Sequence, residues 1–259
     1  MKKKKITTKD IETSDEYLFE AYEENDELKK VDLLKKALGY NPDNIDALLA
    51  LNHMEDDPFS RLSILNSIIP HAYKLLEKEG FISEEYIGKF WGFHETRPYM
   101  RARHDQILSL IDVGYYFQAV AECMELLMLC ENDNQGIRYI LMEIYAIVGD
   151  ENGAKWLSDK FDEVTFQFLF PYAVLMFRQE KLKESKALFE KLFEKYPYAK
   201  DIIIKNKKPD AKTLESMVLG VPMFQPGEVY YTLMEMQHLL TDDFLKWFKS
   251  EFGSKSKKN

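Results

Sequence analysis

A helical beat of about 33 residues in the second half of the chain constrains the fold more than any other feature. Aligning residues 100–133 with residues 166–199 puts Ala119 on Ser185, Cys123 on Phe189, Leu126 on Leu192 and Glu131 on Pro197. Glu131 and Pro197 are 66 residues apart, two periods of 33. Residues 134–165 fill the interval with a degenerate unit that carries Gly149 and Ala154 in comparable places. The period predicts helix-turn-helix units stacked in register, an architecture suited to gripping other proteins more than to chemistry. The 11 Gly and nine Pro of the 259-residue chain are few turn formers, which fits long helices with short connections and disfavours a many-turned β protein.

The flanks carry the same helical signal. Leu18, Tyr22, Leu33, Leu34, Ala37 and Leu38 recur at three and four, and GYNPDN (39–44) supplies a C-terminal Gly and a turn, giving a first helical pair. A further helix is expected over 45–51. Pro58 opens the next one, which runs to Glu79 and stops at Gly80, with Pro70 placed to kink or split it. Ser83, Glu84 and Glu85 read as an N-cap and first turn of another helix, and Pro98 should hold Arg97 in extended or turn geometry. After the repeats, residues 202–210 read as a basic linker, 211–219 as a short helix and 220–228 as an irregular loop. Thr241, Asp242 and Asp243 then cap a final amphipathic helix bearing Phe244, Leu245, Trp247 and Phe248, which should cover the open end of the stack.

Charge narrows the partners. Of the 35 basic residues, eight lysines sit in two acid-poor tails, 1–9 and 254–259, which are expected to be disordered; residues 10–253 then hold 27 bases against 44 acids, a body charge of -17. Such a body does not suit nucleic acid, because phosphate binding needs a dense basic face. Cys123 and Cys130 are expected as buried thiols with no disulfide framework or zinc site. The N-terminus lacks the apolar core of a secretory signal, and the most apolar stretch, 164–177, is too short to span a bilayer. These features imply a reduced, cytoplasmic protein that does not insert into membranes.

The repeat units resemble tetratricopeptide repeats. In that family a small residue at position 8 of the 34-residue unit packs against another at position 20, with an aromatic near 24, a small residue near 27 and Pro at 32. With Pro197 as position 32, Ala173 takes position 8, Ser185 position 20 and Phe189 position 24, while Leu192 departs at 27. With Glu131 as position 32, Ala119 takes position 20 but Ile107 and Leu126 depart. With Pro42 there, Ala37 fits and Leu18 and Lys30 do not. The resemblance covers 100–199 and, more weakly, 11–44. The blocks ETRPYMRAR (95–103) and NDNQGIRY (132–139) are similar to those of a bacterial group of this repeat class, a likeness that names no activity. It implies an all-α superhelix forming one domain over 10–253: degenerate helical pairs over 10–99, repeats over 100–199 and capping helices over 210–253.

In such arrays the first helix of each unit lines a concave groove. Carrying the family's groove positions over implies Arg101 and His104 from one unit, Gln135, Arg138 and Tyr145 from the next, and Phe177 with Arg178 from the third. Arginine forks match carboxylates, so a protein or peptide with an acidic segment or a free C-terminus is the implied ligand. The alternative is that each arginine pairs with a nearby acid such as Glu95, Asp105 or Glu143 and staples helices. His94, Glu95, His104 and Asp105 straddle Pro98 and do not share one regular helix face, which disfavours a metal site. The nucleophile elbow and phosphate-binding glycine loops are missing from the sequence. Tyr115, Tyr116 and Phe117, like Phe166, Phe168 and Phe170, are expected in the core, the alternative being that an exposed subset forms a peptide-gripping floor. The sequence thus points to a binding module with no catalysis and no cofactor; the rival is an enzyme or a binder of a small anionic ligand at 91–105, where Arg97, Arg101 and Arg103 gather.

Overall fold

The computed structural model describes residues 6–205, 208–218, 220 and 223–253. It is all-α: fourteen α-helices form among these residues, no strand does, and the only β pairing is an isolated bridge between Lys89 and Cys130. The helices gather into two compact units, Met1–Ile137 and Arg138–Asn259, with sequential helices packed as neighbours.

The first unit starts with α1 (Thr8–Glu23), where Thr7 and Asp10 form a capping box. The helix therefore begins inside the segment expected to be a tail, because Thr7 satisfies its orphan amides; residues 1–5 and 254–259 of the expected tails lie outside the described residues. α2 (Glu27–Tyr40) packs antiparallel-fashion as the next element of the hairpin, burying Leu34 and Ala37 against Leu18 and Ala21. Gly39 stays within α2, and the turn falls at Pro42 and Asp43. Asn44 caps α3 (Ile45–Asn52), and its Nδ2 also donates to Ser14 Oγ at 2.9 Å and Asp15 Oδ1 at 3.1 Å, tying α3 to α1. α4 (Pro58–Glu79) has Pro58 in its first turn and ends at Gly80, whose φ of 84° only glycine adopts cheaply. Pro70 does not split it: Leu65, Ile68, Ala72 and Leu76 are buried on both sides of the proline, and their packing holds the two halves as one helix.

The helix expected at Ser83 does not form. Residues 81–96 run as turns with a short 3₁₀ segment at Phe90–Gly92, knit by a ring cluster of Phe81, Tyr86 and Phe93 with centroids 5.0–5.7 Å apart. Thr96 donates to the Phe90 and Phe93 carbonyls, and Arg97 Nε to the Trp91 carbonyl at 2.9 Å. Arg97 is not extended either: it opens α5 (Arg97–Asp112), with Pro98 in the first turn where its missing N–H costs nothing. α6 (Tyr116–Leu129) follows and buries Ala119, Cys123, Leu126 and Leu127. That face leaves Phe117 on the opposite side, 79% exposed, and Tyr115 45% exposed, so this aromatic run is not core.

In the second unit, α7 (Ile137–Val148) and α8 (Glu151–Phe161) meet where a Cβ on Gly153 would lie 2.6 Å from the Tyr145 ring. α9 (Phe166–Arg178) and α10 (Leu182–Lys195) form the tightest hairpin of this unit; Ser185 Oγ donates to the Ala173 carbonyl at 2.8 Å with both residues fully buried. Phe166, Phe168 and Phe170 are all core. The expected linker at 202–210 begins as helix instead, α11 (Ala199–Lys205), because Ile202 and Ile203 are buried. α12 (Ala211–Val218), α13 (Pro226–Glu235) and α14 (Asp242–Phe252) complete the unit; the loop expected at 220–228 thus gives way to helix at Pro226, while Leu219, Val221 and Pro222 lie outside the described residues. Thr241 caps α14 through the Phe244 amide, and Phe244, Phe248 and Phe252 pack on Phe189 at centroid distances of 5.8, 5.0 and 5.8 Å. The final helix thus covers the outer apolar face of α10.

Candidate functional site

The seven residues implied as a groove divide between the units, and most are already engaged. In the first, Arg101 forms a two-pronged ion pair with Asp46 at 2.8 and 2.6 Å, reaching from α5 to α3. His104 faces inward, where burial lowers its pKa against the opposing charges of Asp105 and Asp133. Gln135 donates to the Met100 carbonyl at 3.3 Å, and its own Oε1 is buried without a partner. In the second unit, Arg138 contacts Glu163 at 3.2 Å and donates to Tyr139 Oη at 2.7 Å, with its guanidinium over that ring. Tyr145 is 4% exposed and belongs to the α7/α8 seam. Phe177 packs its ring edge-to-face with Phe244 and tilted against Trp247, and Arg178 donates to the Ala146 carbonyl at 2.8 Å. Arg101 is held by Asp46, Arg138 contacts Glu163 and Arg178 donates to a main-chain carbonyl, partners that the fold brings from 25 to 55 residues away in sequence.

A better-formed concavity lies elsewhere in the first unit, overlapping the 91–105 block. Its volume is about 490 Å³, and its walls come from α4 (Tyr73), the 81–92 turns (Ile82, Glu84, Ile87, Phe90), α5 (Tyr99, Arg103) and α6 (Glu125, Met128, Leu129). Three large apolar side chains stay open to solvent here: Tyr73 at 39%, Ile87 at 52% and Met128 at 59%. Concave, mostly apolar sites with a few placed polar groups are where proteins take ligands.

Arg103 is the buried polar group of that wall. Its guanidinium donates to Tyr99 Oη at 2.8 Å, Glu122 at 2.7 Å and Glu125 at 2.6 Å. Burial pulls its pKa down, but Tyr99, Glu125 and Glu122 outweigh that and the net shift is upward, so it stays charged. Two carboxylates over-neutralise it, and Glu84 adds a third negative charge at the wall. A second cavity of about 570 Å³ shares Tyr99 and is acidic, lined by Asp15, Asp43, Asp46, Glu79 and Glu95 beside His94. Asp46 is held by Arg101 and Asp43 by His71 at 3.0 Å, whereas Glu79, Glu84 and Glu95 form no ion pair among the described residues.

The wider charge follows the same pattern. Residues 10–137 hold 26 acids and 11 bases, a net charge of -15, whereas residues 138–253 hold 18 acids and 16 bases, a net of -2. Almost the whole negative excess of the body belongs to the first unit. Sequence reasoning missed the Ile87/Met128 cavity because it assigned Glu84 and Glu85 to a helix start; the signal available was the exposed register of Met128, one residue past the buried pair Leu126 and Leu127.

No family model matches the chain, and no curated protein matches it. What the fold itself defines is an all-α protein of sequentially packed helices, with helix-helix packing of the kind helical repeats use.

Proposed function

We propose that the protein is a non-catalytic interaction module that binds a protein or peptide partner, built from tetratricopeptide-like units. The observation that carries the reading is the gathering of exposed Tyr73, Ile87 and Met128 at one apolar cavity, a feature that costs solubility unless something covers it. The repeat assignment is supported by the α9/α10 hairpin, where Ala173 and Ser185 meet as the family's two small positions do and Phe189 fills the aromatic place. Two free, buried thiols are compatible with a cytoplasmic setting, and the bacterial likeness of the 95–103 and 132–139 blocks is part of the same proposal. Among the described residues no helix is long and apolar enough to cross a membrane.

An acidic partner at the arginines would have to displace Asp46, Glu163 and the Ala146 carbonyl, so this form of the proposal carries a cost in broken ion pairs. The full chain used as bait in lysate tests it. Retention of a specific partner by the wild type supports the module, and its loss in Arg101→Gln with Arg138→Gln assigns the contact to the arginines. Neutral variants are chosen because Arg101→Glu would set like charges together at Asp46. Failure of the wild type to retain any specific partner overturns the module.

A second reading, a small anionic ligand at 91–105, would rest on Arg97, since Arg103 is already held by Glu122 and Glu125. It predicts a rise in melting temperature with inorganic phosphate or phosphorylated metabolites that Arg97→Ala abolishes.

A further inference from the structure

We infer that the Ile87/Met128 cavity is a docking site for a basic amphipathic segment of the partner, with an apolar side chain seated in the cavity and flanking Lys or Arg side chains on the acids around it. The inference rests on the interaction-module reading and specifies its ligand.

Shape supplies the first half of the argument. The lining is Tyr73, Ile82, Ile87, Phe90, Met128 and Leu129, a wall of apolar and aromatic side chains, and its volume suits one or two large side chains from an incoming chain. Met128 and Ile87 stand on different elements, α6 and the 81–92 turns, so an anchor inserted between them would bury both. Met is well suited to such a mouth, since its unbranched thioether adapts to the anchor it meets.

Charge supplies the second half and decides the occupant. The one cation in the wall, Arg103, is held by Glu122, Glu125 and Tyr99 and is not available to an anion. Among the described residues Glu84 on the wall forms no ion pair, and the acidic cavity across Tyr99 adds Glu79 and Glu95, which form none either. Around these, residues 10–137 carry a net charge of -15. An acidic or neutral apolar segment would be repelled or unassisted, whereas a basic one is steered in and held at its flanks. This is a different surface, and the opposite ligand charge, from those implied by the arginines. Part of the wall comes from α6, the second helix of its hairpin.

The probe is a fluorescein-labelled sixteen-residue peptide with Leu at helical spacing and Lys elsewhere, titrated against the full chain by anisotropy at about 0.15 M salt. Two controls accompany it: the same peptide with every Leu replaced by Ser, and the same peptide with every Lys replaced by Glu. The protein variants are Ile87→Asp with Met128→Asp, both at exposed positions, and Glu84→Lys; circular dichroism melting confirms that each is folded. The expected result is binding of the Leu/Lys peptide that weakens by at least about tenfold in the double Asp variant and by a few-fold in Glu84→Lys, with both control peptides bound at least about tenfold more weakly by the wild type. Equal affinity for the Leu/Lys and Ser/Lys peptides would show charge attraction without a cavity and overturn the inference. So would unchanged affinity in the double Asp variant, or tighter binding of the Glu peptide. A lysate partner held equally by wild type and the double Asp variant would leave the interaction module standing and remove this cavity from it.

Discussion

Glu143 on α7 shows how burial, helped by a nearby like charge, shifts a protonation state. Desolvation first, and the charge of Glu235 second, push its carboxyl from an ordinary value near 4.5 up to about 7. His238, with its Nε2 3.5 Å away, is shifted the other way, downward, by burial and by Arg178. Near pH 7 the carboxyl is therefore divided between its protonated and charged forms, and it faces an imidazole that burial keeps from protonating, so the contact is not a full ion pair. Because the folded state holds its proton more tightly than the unfolded chain, this group's contribution to stability is fully present below about pH 4.5 and is lost as pH rises through about 7. Glu143→Gln should flatten that loss and raise stability at pH 8 by roughly 2 kcal/mol, read as the difference in urea midpoints between pH 5 and pH 8 for the two proteins. An equal pH dependence in both would place the titrating group elsewhere. Glu228 is the contrasting buried acid: it accepts from the Phe166 amide at 2.9 Å, Tyr196 Oη at 2.8 Å and the Phe224 amide at 2.6 Å, so its lone pairs are satisfied and it pins the start of α9 to the segment before α13.

At the level of elements, the helical hairpins were legible and the connections were not. The three-and-four spacing of Leu18, Leu34, Ala37, Cys123, Leu126 and Phe189 reports buried faces directly, so α1, α2, α6, α9 and α10 fall where the pattern places them. Segment 81–96 misled because Ser-Glu-Glu is a helix start only if an apolar period follows, and here Phe81, Tyr86 and Phe93 spend their rings on one another. The arginines were legible as unusual, but not their partners, since Asp46 lies 55 residues from Arg101 and Glu163 lies 25 from Arg138. The α7/α8 seam offers a test of how tight such a hairpin is. Gly153→Ala should gain helix propensity yet cost about 1–2 kcal/mol net, because the new methyl meets the Tyr145 ring and the Asp150 carboxylate. Calorimetry of Gly153→Ala, Tyr145→Leu and the double variant checks this: the two single losses should add to more than the loss of the double variant, and a stabilised Gly153→Ala would refute the close contact.

Across the whole molecule the uneven charge has physical consequences that do not depend on any partner. Residues 10–137, with 26 acids and 11 bases, repel one another, and added salt relieves that repulsion, whereas residues 138–253, of net charge -2, have little to relieve. Hydrogen exchange at about 0.05 and 0.5 M salt should therefore show slower exchange at high salt in α1 through α6 and near-constant exchange in α9, α10 and α14; a uniform response would mean that the local ion pairs, not the net charge, govern stability. The two cysteines offer an independent clock for the same opening. Both sit in the first unit, Cys123 fully buried with its thiol pKa pushed well up by burial, and Cys130 only 4% exposed. A thiol so placed reacts with a probe such as an aromatic disulfide only while its surroundings are breached. The unmodified chain thus carries its own reporter, and the rate at which it consumes the reagent measures how often α6 parts from its neighbours, without a label, a variant or a ligand.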